Sequence, residues 1–318
     1  MWQKTQKGSF RRAKELVIIM ENETLTPKPR KRRLGDRKDG RKLRSLPPIL
    51  RMMPYIMKRR SDAQNTFADS FDITEADRMV RCKVKQGMTN FSLLHIILAA
   101  YVRMISQRPG VNRFVSGRKI YARNNIEIIM AVKREMSLSG EETMIKVVFP
   151  PDATLDEIYE IFNRAVKDAV EVEGETLFDK VARVLISFPG FILRFIVKLL
   201  FALDYLGWLP RFLTNVSPFH GTMIITSMGS LGIKPIYHHI YDFGNLPVFL
   251  SYGAKYSVNA IDRDGSVIRK RYVDLKVVTD ERICDGYYYA SALKMLKKLI
   301  QNPAVLNERP EEILEDID

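Results

Sequence analysis

Asp274-Leu275-Lys276-Val277-Val278-Thr279-Asp280-Glu281-Arg282-Ile283-Cys284-Asp285-Gly286 carries a strand into a turn and the turn into a helix. Tyr272 and Val273 lead into Leu275, Val277 and Val278, so Arg269 to Thr279 is expected as an apolar strand. Asp285-Gly286 punctuates its end, and Tyr287 to Gln301 continues as a helix that stops before Pro303. Moving toward the N-terminus, Val248 to Tyr252 and Thr222 to Thr226 are short apolar strands. Met144 to Phe149 is another, stopped by Pro150-Pro151, and Ile126, Ile128, Met130 and Val132 alternate as a half-buried strand. Thr154 to Val172 is amphipathic, with Thr154 and Glu157 spaced as a capping box. Asn90 to Gln107 has Leu93, Leu94, Ile97, Tyr101 and Met104 at helical spacing and ends before Pro109-Gly110. The order is mixed α and β, with too few βαβ units for a doubly wound sheet.

The 318 residues carry a formal charge of +14, with 46% hydrophobic residues. That charge is local. Residues 1–60 hold 19 Lys and Arg against 5 acidic residues, and the remaining 258 balance. The chain therefore reads as a basic tail, residues 1–45, on a nearly neutral body, residues 46–318, whose surplus of +4 is Arg51, Lys58, Arg59 and Arg60. Ten Lys and Arg crowd Lys28 to Arg44 without an aromatic residue, so the tail is expected to stay solvated. It could instead bind anionic lipid or nucleic acid, or meet the acidic C-terminus. The lack of aromatics for stacking bases argues against nucleic acid. The polar run after Met20 suggests a translation start there, which would lower the charge to +10. Pro47-Pro48 and Pro54 punctuate an apolar stretch, Ile49 to Met57, expected to pack as an arm. Two cysteines, Cys82 and Cys284, are too few for a disulfide scaffold and imply a reducing, cytoplasmic setting. Four histidines, His95, His220, His238 and His239, show no metal-ligand spacing, so no metal is expected.

Val184 to Leu213 is the unusual stretch, apolar except for Ser187, Arg194, Lys198, Asp204 and Arg211, and split by Pro189-Gly190. A helix from Phe191 to Leu206 would run about 24 Å, short of the ~20 residues of a bilayer span. Burial against the body or a neighbouring subunit is the first expectation. Docking on a membrane surface, helped by Trp208 and the basic tail, is the second.

The opening stretch resembles the terminal motif of 2-oxoacid dehydrogenase dihydrolipoyl acyltransferase catalytic domains, Asp-His-Arg-x-x-Asp-Gly followed by a helix and Asn/Pro. Here that helix precedes Asn302-Pro303. Four further segments fall in family order. Gly221-Thr222-Met223-Ile224-Ile225-Thr226-Ser227-Met228-Gly229 resembles the strand of the oxyanion hydroxyl, and Pro247 to Gly253 the strand after it. Arg108-Pro109-Gly110-Val111-Asn112 resembles the Pro-x-x-Asn turn, and Asn125 to Val132 the early strand. The resemblance implies a chloramphenicol acetyltransferase-like two-layer fold: a mixed sheet with helices on one face, assembled as a homotrimer with sites between subunits. It also implies acyl transfer between coenzyme A, as acyl-CoA substrate, and an unknown acceptor.

Under that resemblance the oxyanion hydroxyl falls on Thr226, with Ser227 as the alternative register and a contributor to coenzyme A binding. Asp285 and Gly286 shape the turn, Gly286 also on the coenzyme A side. The position of the general-base histidine holds Glu281. A thiol ionises near pH 8.5, histidine near 6.5 and glutamate near 4.3, so glutamate is a poorly matched base unless burial raises it. Two outcomes stay open. Glu281 serves as a substituted base, or the site has lost its base and the protein is a trimeric scaffold or binds a coenzyme A-like ligand. A histidine among His220, His238 and His239 could take over. His95 reads as core, and Cys284 as a buried strand residue rather than a nucleophile. No lipoyl lysine is present in the expected Asp-Lys-Ala setting.

Overall fold

The computed structural model describes residues 31–133, 142–171, 177–262 and 264–318. The proposed start at Met20 and the first thirty residues of the tail lie outside them. The expected strands assemble into one seven-stranded mixed sheet. Its path runs β2 (Gln64–Asp72), β10 (Val267–Asp280), β8 (Val248–Tyr252), β7 (Met223–Ser227), β5 (Ile126–Lys133), β6 (Glu142–Phe149), and β9 (Tyr256–Ile261) pairs the free half of β10. β7 is parallel to both neighbours, and every other pair is antiparallel. A small second sheet joins β1 (Gly40–Lys42), β4 (Lys119–Arg123) and β3 (Arg113–Ser116).

Strand alternation divides the large sheet into two faces. Ile128, Met223, Ile225, Val248, Leu250 and Val277 pack into the main core. The helices that cover this face are α3 (Leu93–Gln107), α4 (Leu155–Glu171) and α8 (Gly286–Gln301). Nearly every side chain of α3 is buried, which its run of Leu, Ile, Ala and Val demands. His95 is core as expected: its Nδ1 accepts from the Ser92 amide at 3.0 Å and its ring stacks on Phe91. The opposite face carries a smaller cluster, Ile129, Ile224, Phe249 and Val278, capped not by a helix but by Ile240 and Leu246 of an irregular segment.

Two expectations change. Among the described residues, positions 31–35 are exposed as expected, but from Asp36 the tail packs largely on the body, where carboxylates neutralise it, and it meets the acidic C-terminus. Arg33 and Arg41 pair with Asp318 at 2.6 and 3.0 Å, and Arg37 pairs with Asp39 and Asp204. The apolar stretch, with α5 (Leu177–Ile186), α6 (Gly190–Leu206) and α7 (Arg211–Val216), does not bury itself in the body. α6 is anchored near its C-terminal end by Asp204, which lies 3.4 Å from Arg37 and 3.2 Å from His220 Nε2. Burial would push Asp204 up, but His220 and then Arg37 more than offset it and hold the carboxyl below its usual range. Burial lowers His220, so the pair is a carboxylate accepting from a neutral imidazole.

Candidate functional site

The Asp280-Glu281-Arg282 triplet runs from the last residue of β10 into the turn that follows, and its members part there. Asp280 and Arg282 turn inward. Arg282 donates to both carboxylate oxygens of Asp280 at 2.7 Å, and Arg60 approaches the same carboxylate at 3.4 Å. Arg60 also donates to the carbonyls of Tyr241, Gly244 and Val115, and Arg282 to that of Met57. These two motif residues are thus a buried clamp. Glu281 faces outward and is exposed, its amide donating to the Ala63 carbonyl at 2.8 Å.

Asp285 caps α8, accepting from the Tyr288 amide at 2.8 Å. Gly286 opens that helix, and a Cβ there would meet nothing within 4 Å. Among the described residues nothing therefore requires glycine at this position. Cys284 is buried and its thiol is pushed up to about 12, first by burial, so it is held as a neutral thiol at physiological pH.

Thr226 lies at the other end of the sheet. The register places Thr226 beside Ser251 and Ser251 beside Lys276. β10 runs four positions further, about 13 Å at ~3.3 Å per residue, before the turn that holds Glu281. One chain therefore does not bring its own Thr226 and Glu281 together. What it does gather is a row across three strands, Thr226, Ser251 and Lys276, on the face opposite the helices. Thr226 Oγ1 lies 3.3 Å from His238 Nε2. The His238 ring stacks on Phe249, centroids 4.1 Å apart and planes at 13°, which fixes its orientation. Lys276 Nζ sits 4.5 Å from the Tyr237 ring centroid, and Ser251 Oγ accepts from the Ile236 amide at 3.3 Å. Burial, then the neighbouring His239, lowers the His238 pKa and favours the neutral ring. Ser227 points to the helix face, hydrogen-bonded to Tyr252. The hydroxyl that meets a histidine is Thr226.

Thr222, two turns of the pleat earlier, is fully committed to structure. It accepts from the Glu127 amide at 2.9 Å and donates to Asn112 Oδ1 at 2.8 Å. Asn112 in turn donates to the Asn125 carbonyl at 3.0 Å. The Gly-Thr strand, the Pro-x-x-Asn turn and the early strand are thereby tied by one network behind Thr226. His239 is exposed, and His220 is held by Asp204 and Ser217. Among the described residues no cluster of His, Cys, Asp or Glu could hold a metal ion.

The fold has solved counterparts. The chain is similar to a probable dihydrolipoamide acetyltransferase from Listeria monocytogenes 4b F2365, at 16% identity over 87% of this chain and 99% of that one, TM-score 0.52. It is similar to the cubic core of the pyruvate dehydrogenase multienzyme complex, at 14% identity over 84% and 94%, TM-score 0.52. It is also similar to a truncated catalytic core of the 2-oxoacid dehydrogenase multienzyme complex from Thermoplasma acidophilum, at 16% identity over 82% and 98%, TM-score 0.50. The chain has the fold of these acyltransferase catalytic cores. No protein-family model matches the sequence, and no curated protein matches it.

Proposed function

We propose that this protein is an acyltransferase that moves an acyl group from coenzyme A to an acceptor, working as an oligomer whose sites are shared between copies. The observation that carries the reading is the Thr226 hydroxyl, 3.3 Å from a ring-stacked His238 on an acyltransferase fold. In the tautomer protonated at Nε2, His238 donates to Thr226 Oγ1 and leaves the threonine proton free for a developing oxyanion. Burial keeps this imidazole neutral, so it polarises the hydroxyl without adding a buried charge. Lys276, one strand beyond Ser251, adds a positive charge to the same face.

In the reaction, the acceptor nucleophile attacks the thioester carbonyl while a base takes its proton. The carbonyl oxygen becomes an oxyanion and accepts from Thr226. The carbon–sulfur bond then breaks, and the coenzyme A thiolate recovers the proton. Glu281 is outward-facing and far from its own Thr226, so in this reading it is the base toward the Thr226 row of a neighbouring copy, whose surface would supply the burial that a glutamate base needs. A homotrimer with channels between subunits, as the resemblance implies, allows this.

Release of free thiol from a panel of acyl-CoA thioesters, with and without amine, thiol and hydroxyl acceptors, tests the proposal. Thr226→Val is expected to slow turnover by about 10²–10³, as loss of an oxyanion donor does. His238→Gln, which can still donate to Thr226, is expected to retain more activity than His238→Ala. If neither the wild type nor Glu281→His releases thiol from any thioester, the protein is not an acyltransferase.

A further inference from the structure

The segment that follows α4, α5 to α7, leaves a large apolar surface without a partner among the described residues. Ile186 and Phe191 are each 75% exposed, Phe195 66% and Trp208 68%. Single exposed apolar residues are ordinary, but a contiguous run of this size marks an interaction surface.

At roughly 100° per residue, Phe191, Phe195, Leu199 and Leu206 share one exposed arc of α6. Arg194, Lys198 and Tyr205 occupy the arc beside it, also exposed. Ile192, Leu203, Ile196 and Leu200 follow on the other side of the first arc, about 20–100° past Leu199, and are half-buried, with Asp204 beyond them turned to the body. From Arg183 to Val216 the only acidic residue is Asp204, and its charge is spent on Arg37 and His220. Every exposed charge in that stretch is positive.

We infer that α6 and the residues flanking it dock this protein on an anionic lipid surface, with the helix lying in the plane of the interface. The helix has 17 residues, about 25 Å, too short to cross a ~30 Å hydrocarbon core. Among the described residues no helix is long and apolar enough to do so. Its C-terminal end is pinned to the body through Asp204, which leaves the Phe191–Phe195–Leu199–Leu206 arc free to enter the acyl boundary. Arg194 and Lys198 border that arc, where their apolar stems lie along lipid and their charges reach headgroup phosphates. Tyr205 and Trp208 stand at the end of the helix, at the depth aromatic residues with a polar edge prefer. A protein partner fits less well, since Lys198 borders the apolar arc and lysine is depleted at protein interfaces.

Flotation of the full chain with vesicles tests this. Wild type is expected to float with phosphatidylcholine vesicles containing phosphatidylglycerol and to float far less with phosphatidylcholine alone. The double variant Arg194→Glu, Lys198→Glu exposes no new apolar surface, and since each change removes a cation and adds an anion, each is expected to weaken partition by at least about fivefold. The triple variant Phe191→Ser, Phe195→Ser, Trp208→Ser is expected to abolish flotation while its melting temperature stays close to wild type. Equal flotation by wild type and both variants, or no flotation of wild type with either vesicle, overturns the proposal. If wild type fails to float and the triple variant dissociates a wild-type oligomer, a second copy of this chain is the occupant instead.

Discussion

Replacing Asp280 by alanine should unfold far more of this protein's stability than replacing its neighbour Glu281. Asp280 is fully buried, and Arg282 and Arg60 are nearly so. The carboxylate takes two 2.7 Å bonds from Arg282 and faces Arg60 at 3.4 Å. Removing it leaves two buried guanidiniums facing one another. Breaking a buried pair from one side costs about 3–5 kcal/mol. Arg60 and Arg282 keep their carbonyl acceptors, which places the expected loss near the lower bound, about 3 kcal/mol. Glu281 is exposed, and Glu281→Ala should stay within about 0.5 kcal/mol of wild type. In equilibrium urea unfolding followed by circular dichroism, with a slope of about 2–3 kcal/mol/M, Asp280→Ala should lower the midpoint by about 1–1.5 M. Arg60 also holds the Tyr241 and Gly244 carbonyls, so Asp280→Ala should loosen the segment that carries His238. Indistinguishable midpoints for the Asp280 and Glu281 variants would refute the division of this triplet into a clamp and a free carboxylate.

In the native state a thiol reagent near pH 8 should modify Cys82, which is exposed, and spare Cys284 until the protein is unfolded. Burial holds His220 below its usual pKa near 6.5, so the unfolded chain binds a proton there that the native chain resists. Its contribution to stability is complete above pH 6.5 and is lost as pH falls below it. Thermal unfolding midpoints should drop between pH 7 and pH 5, less steeply in His220→Gln; a flat profile in wild type would contradict this. Gly244 has φ +83°, and a Cβ there would overlap the Phe219 carbonyl. Gly244→Ala should cost at least about 2 kcal/mol, read as a lower urea midpoint.

The strands with strong apolar alternation were legible from composition alone. Val248 to Tyr252 matches β8 residue for residue, and Ile126 to Val132 falls one short of β5. β2 was not, because Gln64-Asn65-Thr66-Phe67-Ala68-Asp69-Ser70-Phe71-Asp72 is mostly polar. It pairs only with β10, and just Phe71 is buried, so hydrogen bonding rather than apolar burial places it. The stretch around Pro54, expected as an arm, is a nine-residue helix from Pro48 to Ile56 whose buried residue is Pro54. The turn of β3 into β4 rests on Gly117 and Arg118, both with positive φ, a backbone state the sequence signals weakly when arginine holds the second position. In the candidate site, Thr226 is singled out only by the resemblance of its strand. His238 belongs to an irregular segment, and its approach to Thr226 depends on stacking against Phe249 from another strand. Periodicity carries no trace of such a contact. Lys276 was hidden for the opposite reason: in an apolar strand it reads as a solvent-facing position, and only the register shows which row it joins.

The distance along the sheet between Thr226 and Glu281 has a consequence for mixtures of defective chains. A Thr226→Val chain keeps an intact Glu281, and a Glu281→Gln chain keeps an intact Thr226. Under the proposed sharing, subunits exchanged at equal proportions in a closed ring would pair the two sound halves at about one site in four. Two preparations without activity would then recover it on being unfolded and refolded together, while either one refolded alone would stay silent.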